Sequence, residues 1–219
     1  MNLIDETLGT LACSIPGATR VLRQYHLDFC CGGNVPLREA ASSLGLDAEQ
    51  IANELAALGD TQQGPDWRQV SSGELIEHIL ARFHERHRDQ LPELIRLASR
   101  VEHVHGSKPE CPNGLAEHLW CMQQELESHM LKEEQVLFPM LQRGMRTPQT
   151  DGPISVMRYE HDQHGNALAQ LALLTNDITP PAHACNTWRA LYRGLEELRD
   201  DLMQHIHLEN NILFAGAQQ

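Results

Sequence analysis

Two segments of the chain each place a histidine four residues ahead of a glutamate: His129 with Glu133 in HMLKE, and His205 with Glu209 in HIHLE. On an α-helix that interval sets both side chains on one face, and two such faces turned inward in a bundle make a carboxylate-bridged site for two metal ions. A buried histidine and glutamate are costly to desolvate unless a cation satisfies both. Imidazole with carboxylate suits iron, manganese or zinc, and one glutamate can bridge two ions through its two oxygens. A single match of this spacing is ordinarily a solvated pair. Two matches, both in phase with an apolar stripe and joined by in-phase histidines elsewhere, point to metal.

The elements that must carry these residues are four long amphipathic helices. The first opens on a Ser71/Glu74 capping box, and its inward positions run Ile76, Leu80, His84, His87, Leu91, Leu94, Ala98 and Val101. The second, from near Asn113 to Gly144, carries Leu115, Leu119, Met122, Leu126, His129, Glu133, Val136 and Met140. A third opens at Pro153, runs through Ile154, Met157, His161, His164, Leu168 and Leu171, and breaks at Pro180 and Pro181. The fourth carries Trp188, Leu191, Leu195, Leu198, Leu202, His205, Glu209 and Ile212. Pro92 and Pro139 should kink or fray the first two. The fold class is therefore all-α, an antiparallel four-helix bundle.

Ahead of the bundle, the polar run Gly59 to Asp66 reads as a linker, with a boundary near Pro65. Residues 1–65 form a small helical domain and 66–219 the bundle. Short helical patterns fall around Pro16 to Tyr25, Leu37 to Leu44 and, N-capped by Asp47, as far as Leu58. Between the first two lies the turn DFCCGGN, where Gly32 and Gly33 are free to take positive φ.

Composition narrows the function classes. With 17 Lys and Arg against 30 Asp and Glu, the net charge of -13 repels a phosphate backbone and an anionic membrane alike, which argues against nucleic-acid and membrane partners. No stretch approaches bilayer length and the N-terminus lacks a signal pattern, so the protein is read as cytoplasmic. Six irregularly spread cysteines do not make a disulfide framework, while 13 histidines are many for this length.

Longer runs carry a resemblance. LDFCCGG, FHERHRDQLPEL around His84, SHMLKEEQVLFPM around His129 and Glu133, GPISVMRYEHD ending at His161 and HIHLENNILF around His205 and Glu209 resemble the di-iron repair-of-iron-centres family, distant relatives of hemerythrin, over nearly the whole chain. The resemblance implies a hemerythrin-like bundle and chooses iron over manganese. It implies two iron ions in an oxo- or hydroxo-bridged non-haem centre, with His84, His129, His161 and His205 as terminal ligands and Glu133 and Glu209 as bridges. By position, His84 and His129 would hold one iron, His161 and His205 the other. Two histidines per iron leave coordination positions open, which marks a reactive or labile centre.

Two functions follow from the resemblance. In the first, the protein repairs iron-sulfur clusters damaged by nitrosative or oxidative stress, releasing iron to a damaged protein or an assembly scaffold. In the second it is an enzyme whose centre binds nitric oxide and reduces or transfers it. Reversible binding of O2 is disfavoured, because hemerythrin-type oxygen carriers usually employ five histidines. The sequence admits two placements of the N-terminal domain, docked over the bundle or pairing two chains into a homodimer.

Cys30 and Cys31 form the second candidate site, with a redox or repair role in the family. Adjacent thiols in a glycine-flanked turn could form a strained disulfide, hold iron or simply pack. Phe29 stands where the family often has tyrosine. Cys13, Cys111, Cys121 and Cys185 read as ordinary residues. His87 and His164 are read as core or ligand-supporting residues, His207 as lying outside, and Glu125 and Glu134 as solvent-facing or adjacent to the ligands. His26, His78, His103, His105, His118 and His183 are read as surface or packing residues.

Overall fold

The computed structural model describes residues 2–58 and 66–217. The expected linker and the boundary near Pro65 lie outside the described residues, Asp66 excepted. Every regular element among the described residues is helical, apart from one isolated bridge between Thr7 and Pro36. No described helix is long and apolar enough to cross a membrane. Contacts divide the chain into two compact units, Met1–Leu75 with Gln204–Gln219, and Ile76–Met203. The second division falls within one continuous helix, Asn186–Leu208.

In the N-terminal unit, four short helices, α1 (Leu8–Ser14), α2 (Ala18–Gln24), α3 (Leu37–Ser43) and α4 (Ala48–Ala57), enclose a core of Leu8, Leu11, Leu22, Leu37, Ile51 and Leu55. Asp47 caps α4 by accepting from the Glu49 and Gln50 amides (2.9 and 3.3 Å), as its sequence position suggests. Helix α1 has no counterpart in the sequence reading. Its signals are Thr7, whose hydroxyl accepts from the Thr10 amide at 3.3 Å, and the interval between Leu8 and Leu11.

The helices that build the bundle are α5 (Ser72–Ile79), α6 (Glu85–His105), α7 (Leu115–Lys132), α8 (Phe138–Gln142), α9 (Asp151–Leu174) and α10 (Asn186–Leu208). The capping box opens α5: the Ser71 amide donates to Glu74 Oε2 at 3.0 Å and the Glu74 amide to Ser71 Oγ at 3.3 Å. Side-chain pairs fix the antiparallel directions. Arg88 meets Glu127 at 2.9 Å and Glu102 accepts from the Ala116 amide at 2.9 Å, which sets α6 against α7. His118 Nε2 lies 2.9 Å from the Ala167 carbonyl, and Lys132 pairs with Glu160, which sets α7 against α9. Asp201 accepts from Arg82 and Arg86, each at 2.6 Å, and binds α10 to the start of the first long helix. At Gly194 a Cβ would stand 2.7 Å from Leu94 Cδ2, so the bare position lets α10 approach α6 closely without turning Leu94 aside. The chain is thus all-α, an antiparallel four-helix bundle with a small helical N-terminal region.

Sequence periodicity misses one feature of the bundle. Leu80–His84, Glu133–Leu137 and, after α10, Glu209–Leu213 are π-helical turns, each widening the helix by one residue. The extra residue slips the inward stripe forward. Val136, expected inside, is 50% exposed, while Leu137 is buried. Ile212 is likewise half-buried and Leu213 takes the core position. The π turn also brings Pro139 to the first turn of α8, where a missing N–H costs little. Helix α9 ends at Leu174, well before the prolines expected to break it. Asn176, Asp177 and Ile178 all take positive φ, and Thr175 Oγ1 donates to the Leu171 carbonyl (2.7 Å) while accepting from the Ile178 amide (3.0 Å).

Candidate metal centre and thiol turn

All six expected ligands are buried. His84, Glu133, His161 and Glu209 are 0% exposed, and His129 and His205 are 1% exposed. Each π turn meets a ligand: Leu80–His84 ends on His84, and the other two begin on Glu133 and Glu209. A π turn rotates the following helix relative to the preceding one, which aims an inward side chain that regular α geometry would place elsewhere. Glu133 Oε2 lies 3.4 Å from His84 Nε2 and 3.4 Å from His129 Nε2. His129 Nε2 and His161 Nε2 are 3.1 Å apart, and His205 Nε2 is 3.1 Å from Glu209 Oε1.

Ligand atoms gather into two groups that share both glutamates. Those of His84, Glu133, His205 and Glu209 all lie within 4.8 Å of one another, and so do those of His129, Glu133, His161 and Glu209. The histidine pairing therefore differs from the one expected by position: His84 groups with His205, and His129 with His161. Neighbours in sequence order need not share a metal, because the partner is decided by which side chains meet at the same level of the bundle.

Carboxylates outside these groups orient two of the imidazoles. Glu134 Oε1 lies 2.8 Å from His84 Nδ1, and Glu160 Oε2 lies 2.9 Å from His129 Nδ1. An Nδ1–H donated to each carboxylate fixes the tautomer that turns Nε2 and its lone pair inward. Burial alone would raise the Glu134 carboxyl, but hydrogen bonds from His84 and Arg88 outweigh it and hold the group below the usual carboxylate range. Arg88 lies 3.0 Å from Glu134, and Lys132 pairs with Glu160, so each outer carboxylate also has a cation. Phe138 stacks on the His84 ring at 5.7 Å and walls that side.

Glu160 escaped sequence reasoning. Its signal was its place beside His161, which sets it on the flank of the stripe rather than in it. Glu125 is exposed. His87 and His164 are buried outside both groups; the His164 ring stands edge-on to His129 at 4.9 Å and His87 lies against Phe83.

His207, expected outside, is buried. Its Nε2 is 3.7 Å from Cys13 Sγ, its Nδ1 is 2.9 Å from Asn211 Nδ2, and its ring meets Phe29 edge-on at 5.5 Å. Burial pushes the imidazole down to about 4, so it is neutral at physiological pH. Cys13 is pushed up to about 11, chiefly by burial.

The thiol turn is built around Asp28. Its Oδ1 accepts from the amides of Cys30 (3.1 Å) and Cys31 (3.0 Å), and its Oδ2 from the amide of Gly32 (3.0 Å). Both cysteines are free, with sulfurs 3.9 Å apart, so the pair is a dithiol. Its neighbour Cys31, burial and Asp28 together push the Cys30 thiol well above its ordinary range. Ligand atoms of Asp28, Cys30 and Cys31 also lie within 4.8 Å of one another. Gly32 and Gly33 do not use the positive φ expected of them. They are needed for close approach: a Cβ at Gly32 would stand 2.8 Å from the Asp28 carbonyl oxygen, and one at Gly33 would stand 2.5 Å from Asn211 Oδ1.

Residues 75–217 match the hemerythrin HHE cation binding domain, and residues 4–59 match a domain of unknown function, DUF542. The iron-sulfur cluster repair protein YtfE of Dickeya chrysanthemi (strain Ech1591) is 54% identical over 219 residues, covering 99% of this chain and 98% of the relative. The chain belongs to the YtfE family. YtfE of Cronobacter sakazakii (strain ATCC BAA-894) is 54% identical over 217 residues, with 99% and 98% covered, and that of Citrobacter koseri (strain ATCC BAA-895 / CDC 4225-83 / SGSC4696) is 52% identical over 217 residues, again with 99% and 98% covered. The hemerythrin domain ties this YtfE-family chain to iron, and its buried histidines and glutamates form groups able to hold a metal.

Proposed function

We propose that the protein restores damaged iron-sulfur clusters by donating iron from a labile, carboxylate-bridged di-iron centre. His84 and His205 would hold one iron, His129 and His161 the other, and Glu133 and Glu209 would bridge them. The observation that carries this reading is the pair of four-residue groups sharing Glu133 and Glu209, within which all ligand atoms lie within 4.8 Å. The relatives' name, iron-sulfur cluster repair protein, supplies the destination of the iron.

The donor set fits iron on chemical grounds. Four imidazoles and two carboxylates buried to 0 or 1% exposure would be costly without cations, and nitrogen with oxygen ligands suits that metal. When bound, such iron offers redox activity and open coordination positions from which it can exchange. The protein's own part is to orient and to exclude water. Glu134 and Glu160 keep the protons of His84 and His129 on Nδ1, and Phe138 screens one ring from solvent. Glu134 is 26% and Glu160 21% exposed at the side chain, so the outer carboxylates reach the surface while the ligands do not. An iron leaving past either would meet a carboxylate first.

The test is transfer. Iron-loaded protein is mixed anaerobically with an apo iron-sulfur protein, sulfide and a thiol reductant, and cluster formation is followed by absorption. Donation predicts cluster formation matched by iron lost from the donor, with no nitric oxide consumed. Retained iron together with multiple-turnover loss of nitric oxide in the presence of a reductant would replace this reading with the enzyme.

A further inference from the structure

The π turn that begins with Glu209 continues with two asparagines directed at the thiol turn. Asn210 Nδ2 donates to the Cys30 carbonyl and Asn211 Nδ2 to the Phe29 carbonyl, each at 3.1 Å. The Asn211 side chain is wedged between two bare backbones: its Oδ1 lies 2.5 Å from where a Cβ on Gly33 would stand and 2.8 Å from one on Gly9. Those two glycines are themselves joined, the Gly9 amide donating to the Gly33 carbonyl at 2.8 Å. No side chain larger than hydrogen fits at Gly9 or Gly33 while Asn211 is seated. The seat is therefore specific to this arrangement.

Glu209, Asn210 and Asn211 are consecutive in one hydrogen-bonded π turn, closed by the Phe214 amide on the Glu209 carbonyl. The Glu209 carboxylate is fully buried, and removing the cation beside it makes its present position unfavourable. Relief requires the turn to shift, and any shift of its backbone is passed to the next two residues. A π turn suits such a role, because its wider ring holds its backbone less tightly than a regular α turn.

We infer that Asn210 and Asn211 are positioning residues that couple metal ligation by Glu209 to the conformation of the Phe29–Gly33 turn, and so to the accessibility of Cys30 and Cys31. The inference rests on the reading of Glu209 as a metal ligand. Coupling is reciprocal, so a change at the thiols would in turn alter how firmly iron is held. In the structure the asparagines hold the turn closed, with Cys30 at 4% exposure and Cys31 half-buried, and loading with iron would keep it so. When iron leaves, the clasp loosens and the dithiol is uncovered, so thiol exposure follows the state of loading.

The test is peptide-resolved alkylation by iodoacetamide under anaerobic conditions, on iron-loaded and chelator-stripped full-length protein, with exposed Cys121 as internal standard. Stripping should speed labelling at Cys30 and Cys31 by about thirtyfold, the scale of losing two ordinary hydrogen bonds, and leave Cys121 unchanged. In Asn210→Ala and Asn211→Ser the loaded protein should already label at the stripped rate with its iron retained, so the loaded-to-stripped ratio falls to about one. If Asn211→Ser loses helical circular dichroism, Asn210→Ala alone decides, since it leaves the glycine seat filled. A wild-type ratio near one with iron bound, or a ratio that survives in the variants, overturns the coupling alone. Absence of iron from the loaded wild type overturns the metal reading and the coupling with it.

Discussion

Replacing Glu134 or Glu160 with glutamine should loosen one iron at a time. Each carboxylate accepts from the Nδ1 of a single histidine, Glu134 from His84 at 2.8 Å and Glu160 from His129 at 2.9 Å, and these histidines belong to different ligand groups. Glutamine keeps the shape and an accepting oxygen but removes the charge. A charge-assisted hydrogen bond contributes about 1.5–3 kcal/mol against about 1 kcal/mol for a neutral one. The loss is therefore about 0.5–2 kcal/mol, or roughly 2–30-fold in affinity. Its upper part overlaps the range of about 10–100-fold seen when a metal ligand's supporting partner is lost. Iron release to a colorimetric ferrous chelator, followed by stopped flow on reduced protein, reads the effect. Glu134→Gln should yield a fast phase from the His84 and His205 group, and Glu160→Gln a fast phase from the His129 and His161 group. The double substitution should accelerate both. Release in both single variants at the wild-type rate, with iron loading unchanged, would refute the claim that these carboxylates tune the ligands.

Other expectations concern the scaffold. Gly33→Ala should destabilise by about 1–3 kcal/mol, the usual cost of overpacking, because its Cβ would meet the backbone oxygen of Phe29 at 3.0 Å as well as Asn211. Gly194→Ala should cost less, since Leu94 is a flexible side chain that can turn aside; equal shifts in thermal denaturation would contradict this. Cys13 keeps its proton up to about 11 in the fold, whereas an unfolded thiol loses it near 8.5. Unfolding therefore releases a proton between those values, so stability present below pH 8.5 is lost as pH rises through that window. Cys13→Ser should flatten denaturant midpoints over the same range, and an unchanged slope would point to other groups.

Much of this architecture is legible in the sequence, for a physical reason. Stripes of leucine at helical spacing continue through His84, His129, His161 and His205, so periodicity alone carries the imidazoles inward. Val136 and Ile212 mark where that logic fails: a π turn consumes one extra residue, and nothing in local composition announces it. The pairing of His84 with His205 depends on the level at which helices meet, which residue order does not encode. His207 looked external because it lies two positions from His205, yet the residues around that helix end cover it with Phe29 and Cys13. At the glycines of the thiol turn the sequence suggests freedom in φ, whereas the structure uses their lack of a side chain.

The most direct test of the central claim is iron per chain, measured on anaerobically loaded protein by inductively coupled plasma mass spectrometry, for wild type beside Glu133→Leu and Glu209→Leu. Two irons are expected in the wild type and fewer in both variants, because each glutamate would serve both metals. Two irons per chain retained in either variant, or none in the wild type, would contradict it.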